Sequence, residues 1–89
     1  MGLEFNWSDD SSGAYKQVFA RVDISNAVEG ETNTSMCLRA GKSARNALYF
    51  FSIAIGAVLV KRRYGFKSTE DAKRAGEISA ARLYRLLSE

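Results

Sequence analysis

The residues best equipped for chemistry in this 89-residue chain are cations set among aromatics: Arg62-Arg63-Tyr64-Gly65-Phe66, followed by Lys67. Guanidinium groups fork onto phosphate or carboxylate oxygens, and aromatic rings offer a face for stacking. That is binding chemistry. The machinery for catalysis is thin. There is no histidine and only one cysteine, Cys37, so neither Ser52 nor Cys37 has an imidazole to activate it. One soft ligand cannot build a His/Cys zinc site in a lone monomer, and one cysteine cannot build a disulfide framework. The order Ala40-Gly41-Lys42-Ser43 matches the end of a phosphate-cradling loop, but that loop needs a glycine five residues before the second one, where this chain has Met36. The acids fall in polar turns or on the outer side of the last helix. The expectation is a protein without enzymatic activity, cofactor or metal.

Charge is divided along the chain. The formal net charge is +3. Residues 1–35 hold two basic against six acidic side chains, a net −4, and residues 36–89 hold eleven against four, a net +7. No acid lies between Glu31 and Glu70, a stretch that includes Arg39, Lys42, Arg45, Lys61, Arg62, Arg63 and Lys67. This asymmetry points to an anionic partner: a protein with an acidic surface first, then nucleic acid or a small anionic nucleotide. The competing explanation is that the acidic part folds against the basic part and neutralises it.

The elements that must position these groups follow from periodicity. Hydrophobic residues make up 46% of the chain, enough for one domain over residues 1–89, with residues 1–13 as a loosely held arm. Val18, Ala20, Val22 and Ile24 alternate with Gln17, Phe19, Arg21 and Asp23, which predicts a strand over 15–24. Residues 8–13 and 25–33 have turn composition, 34–39 reads as a second strand, and 40–43 as a further turn. The segment 45–66 reads as helix if Ser43 caps it. Its content (Tyr49, Phe50, Phe51, Ile53, Ile55, Val58, Val60) favours strand, with Gly56 as a bulge or a bend between two strands. Ser68 caps a final helix over 69–88, with Glu70 and Asp71 in its first turn and Glu70 placed to pair with Arg74. Ala72, Ala75, Gly76, Ser79, Leu83, Leu86 and Leu87 fall on one face of that helix, small residues first and large ones last. Arg74, Ile78, Ala81 and Arg85 form a stripe on the opposite side.

The fold expected is α+β: an antiparallel sheet of three to four strands with one C-terminal helix packed across a face. The uncharged run Asn46–Val60 is 15 residues long, about 22 Å as a helix against a hydrocarbon core of about 30 Å, so no membrane span is expected. It is also oilier than a one-faced sheet requires, which predicts burial of part of it in a homo-oligomer interface. The N-terminus lacks a basic leader and an apolar run, so a cytoplasmic protein with reduced Cys37 is expected.

Two resemblances bear on function. Arg62-Arg63-Tyr64-Gly65-Phe66 followed by Ser68-Thr69-Glu70-Asp71-Ala72-Lys73-Arg74-Ala75 resembles the third strand and second helix of an RNA-recognition motif domain. That resemblance implies aromatics stacked on bases and cations on phosphates. Arg63 stands where that family has glycine, and the chain leaves no fourth strand after the helix. The whole chain, an acidic hairpin, an apolar strand and then Gly-Phe-x-Ser-Thr-Glu-Asp-Ala opening one helix, is similar to the compact α+β accessory proteins of phages and prophages. This second resemblance implies an inhibitor or adaptor of the anti-defence type. Together these readings make the protein a binding protein with a basic patch, whose candidate contacts are Arg62, Arg63, Tyr64, Lys67, Arg74, Ile78 and Arg85. The alternative is a small nucleic-acid-binding protein that uses Lys61–Lys67.

Overall fold

A computed structural model describes residues 4–10, 17–24, 34–43 and 45–88. Five strands precede one helix: β1 Ser8–Asp10, β2 Gln17–Asp23, β3 Ser35–Lys42, β4 Tyr49–Ile55, β5 Val58–Phe66 and α1 Thr69–Ser88. The strands lie in chain order, each antiparallel to the next. The fold is therefore α+β, with one more strand than expected. The extra strand is β1. Its Ser-Asp-Asp composition reads as turn, yet it pairs Ser8 with Phe19 and Asp9 with Val18 at the sheet edge. Edge strands are often very short and charged, which explains why composition hides this one. The turns expected at 25–33 and 11–13 lie outside the described residues.

Period-two alternation sets the two faces. Across the sheet, Ala20, Leu38 and Ile53 are register neighbours, as are Val22, Met36 and Ile55, and Val18, Ala40 and Phe51. These rows point at the helix. Ile24, Met36, Leu38, Ala40 and Ile53 are at most 1% exposed. The run 45–66 is strand, as its β-branched and aromatic content indicates, and Gly56 turns it into a hairpin. Ile55 pairs with Val58 across a two-residue loop, and Gly56 has φ +61°, at the first loop position where type II′ hairpins take glycine. The turn expected over residues 40–43 instead begins later. Gly41 and Lys42 remain in β3, so the Gly-Lys-Ser order forms no phosphate cradle.

α1 packs mainly on β3 and β4. Asp71 N donates to Ser68 Oγ at 3.2 Å, the expected cap. The ion pair of Glu70 forms with Lys73 at 3.3 Å rather than with Arg74. Ala72 and Ala80 are fully buried and Gly76 is buried with them, while Leu83 and Leu87 pack against the core further along. Leu86, expected on this face, is 63% exposed, and Ala80 takes the inward place. The contact stripe follows 72, 76, 80, 83, 87, which is slightly rotated from the expected one. The reason lies at Gly76: a Cβ there would meet Phe51 Cβ at 3.3 Å, so the helix rests on the Phe51 ring with no side chain between them. At the N-terminal side, Trp7 Nε1 donates to Glu77 Oε2 at 2.7 Å, and Lys73 Nζ stands 5.5 Å from the Trp7 ring centre. These contacts fasten the first strand to the helix. No helix among the described residues is long and apolar enough to cross a membrane.

Replacing Gly76 by valine inserts branched carbons between the helix and Phe51, and overpacking of this kind costs about 1–3 kcal/mol. Urea denaturation followed through Trp7 fluorescence should show the midpoint falling accordingly, with an unchanged slope.

Candidate functional site on the open sheet face

Because α1 covers one face, every second residue of each strand faces the other side. Register places these residues in rows. One row runs Ser8, Phe19, Arg39, Ser52, Arg62. The next runs Asp10, Gln17, Gly41, Phe50, Tyr64. A third runs Arg21, Cys37, Ala54, Leu59. The open face therefore carries arginine and aromatic side chains interleaved with small ones, where a solvated sheet face needs only generic polar residues.

The small residues shape it. Ser52 lines a concavity of about 420 Å³ between larger neighbours, and Gly41 separates two other lining residues, Gln17 and Phe50, in the register. Gly41 has φ 150°, a backbone conformation that suits glycine, so both the absent side chain and the backbone favour glycine here. Phe50, 6% exposed, forms the floor, and Tyr64, 41% exposed, stands beside it with ring centres 5.9 Å apart. Among the described residues, Arg39, Arg45 and Arg62 line the rim with Gln17 and Ser43.

Several contacts position these groups. Gln17 Nε2 donates to the Lys42 carbonyl at 3.1 Å, and Arg39 Nη1 donates to Gln17 Oε1 at 3.4 Å, so Gln17 holds one guanidinium in place. Arg45 is carried by the turn after β3. Within that turn Ser43 N donates to the Leu48 carbonyl at 2.8 Å, Ala47 N to the Ser43 carbonyl at 2.9 Å and Arg45 N to Ser43 Oγ at 3.2 Å. Leu48 N donates to Asn46 Oδ1 at 3.1 Å, and Ala47 takes a left-handed φ of 59°. A turn so closely bonded delivers Arg45 to the end of the face from a defined direction.

The sequence-derived candidates separate onto different surfaces. Arg62 and Tyr64 lie on the open face, two residues apart on β5. Arg63 pairs with Phe51 and so points to the helix side, as does Lys61, whose Nζ lies 3.4 Å from Ser79 Oγ. Phe66 packs against Phe51 with ring centres 5.6 Å apart, a core role. Lys67 follows the strand and is exposed. Arg74, Ile78 and Arg85 are exposed on the outward side of α1, across the molecule from Arg62 and Tyr64. The residues that complete the basin (Gln17, Arg39, Arg45, Phe50 and Ser52) are absent from the candidate set. Arg39 was visible in principle, since it alternates with buried Leu38 and Ala40. Its meeting with Arg62 required the register of three strands.

Comparison with protein-family models, with curated proteins and with solved structures gives no match. The topology also departs from the RNA-recognition motif. Among the described residues the strands form a meander in chain order with no helix between them, where that fold places a helix after its first strand.

Three guanidinium groups lining one basin are the donor set that an oxyanion would need. Inorganic sulfate, at equal ionic strength to chloride, should raise the melting temperature by about 4–8 °C, the equivalent of about 1 kcal/mol of selective binding to the folded state. The double variant Arg45→Ala, Arg62→Ala should lose that increment while keeping the general salting effect, as a thermal scan in both salts will read out.

Proposed function

We propose that this chain is a non-enzymatic binding protein whose open sheet face takes a single-stranded nucleic acid. The observation that carries the reading is the basin itself: Arg39, Arg45 and Arg62 around a floor of Phe50 and a wall of Tyr64. Phosphates along a strand meet the guanidinium forks, and an unpaired base lies against the exposed Tyr64 ring, with Phe19, 40% exposed, beside Arg39 in the adjoining row. A duplex keeps its base faces stacked inside, so this combination favours an unpaired strand. Gln17 and Ser52 add hydrogen-bonding groups at the level of a base edge.

The helix is a weaker candidate surface. Arg74, Ile78 and Arg85 offer a contact to an acidic protein, but Glu70, Asp71 and Glu77 share the same helix and dilute its charge. The described lining of the basin gathers three guanidinium groups.

Fluorescence anisotropy with a short labelled oligonucleotide of mixed sequence tests the reading. Three phosphate contacts predict a slope of log affinity against log salt of about −2 for a single strand, and removing Arg62 should flatten it by about 0.7. Tyr64→Ala should cost about 1–3 kcal/mol, the usual value of one base–aromatic stack, while leaving the salt slope in place. No binding at about 50 mM salt, or equal preference for duplex, overturns the reading.

A further inference from the structure

The uncharged run divides in the fold. Within β4, Phe50, Phe51 and Ile53 are buried. The second half of the run is not: Val58, Leu59 and Val60 are 66%, 48% and 46% exposed. They sit on β5, the last strand of the sheet, whose outer edge has no neighbouring strand among the described residues. Beside them, between β5 and the end of α1, lies an apolar cleft of about 150 Å³ lined by Ile53, Val60, Leu83 and Leu86. An exposed apolar edge strand is a template for strand pairing.

From the charge pattern of β5 we infer that a second copy of this chain covers this edge, pairing β5 with β5 antiparallel about Leu59. In a symmetric antiparallel pair, each residue opposes one on the same side of the sheet, so the two-fold axis passes beside a residue that faces its own equivalent. The registers open to such a pair differ in the charges they oppose. Centred on Arg62, the pair would set Arg62 against Arg62 and Lys61 against Arg63 twice, three like-charge contacts, which destabilise a sheet. Centred on Leu59, it sets Leu59 against Leu59 on the open face and Val58 against Val60 twice on the helix side. Lys61 and Arg62 then lie opposite Ala57 and Gly56 of the hairpin turn, where no cation stands. Val60 has no β4 partner, because the register shifts between Ile53 and Ala54, and it leans over the apolar cleft. In the pair, Val58 of the second copy reaches that cleft. The two open faces become one continuous face, with an Arg62 and a Tyr64 on either side of the junction. The interface is small, so the dimer is of the weak, concentration-dependent kind.

The pairing is independent of nucleic acid, and its test uses none, so its failure and that of the proposed function are distinguishable. Light scattering on the unaltered chain at about 100 μM should give a mass approaching twice 9.8 kDa and fall to the single value on dilution. Leu59→Lys should abolish the doubling. In a Cys37→Ser background, Leu59→Cys brings two thiols onto Cα atoms about 4.5–5.5 Å apart, within disulfide reach, so mild oxidation should yield a covalent dimer. Arg62→Cys in the same background leaves its thiols about 20 Å apart and should yield none. A monomer at every concentration overturns the inference whatever the variants do. Crosslinking through position 62 and not 59 overturns the register.

Discussion

The structure depends on the contact between Gly76 and Phe51. Among the described residues, a sheet of five strands has two faces and one helix to cover them, so the quality of that cover decides how much of the sheet stays dry. Ala72, Gly76 and Ala80 let the helix backbone settle onto the Phe51 and Ile53 side chains, and the larger Leu83 and Leu87 fill in where the helix runs on. With the apolar strand positions sealed on that side, the alternate positions are released from packing. They are free to carry Arg39, Arg62, Tyr64 and Gln17 in rows whose spacing the ladder fixes. The site is therefore built mostly on strands, and Ser43 and Arg45 come from the turn after β3.

The charge division along the sequence acquires a spatial meaning. The acidic N-terminal part contributes the β1 edge and one flank of the sheet, while the basic part supplies the opposite edge and the rim of the basin. At the basin the basic part brings three guanidinium groups around Ser52. An anion brought to that basin meets three donors already in position, one of them steadied by Gln17.

Much of the fold was legible because period two is a strong signal when one face is dry. Val18 to Ile24 could be read directly, as could the capped helix after Ser68 and the strand content of 45–66. Ser8–Asp10 was not legible, since an edge strand three residues long owes its form to pairing and to the anchoring of Trp7 on Glu77 rather than to its own composition. The inward turn of Ala80 and the outward turn of Leu86 were hidden for a related reason: a rotation of part of a helical turn is set by one close contact, which the hydrophobic pattern does not record. The candidate site was half legible. Arg62 and Tyr64 stand out as neighbours in sequence, whereas Gln17, Arg39 and Phe50 become their neighbours only through register.

The central claim is that the open sheet face, and not the helix, is the recognition surface. Side-chain NMR signals report on it directly, because backbone amides of a strand belong to both faces. On titration with a single-stranded oligonucleotide, the account predicts that the Nε signals of Arg39, Arg45 and Arg62 and the side-chain amide of Gln17 shift together, while those of Arg74, Arg82 and Arg85 hold still. Movement of the helix arginines with the four open-face signals unchanged would contradict it.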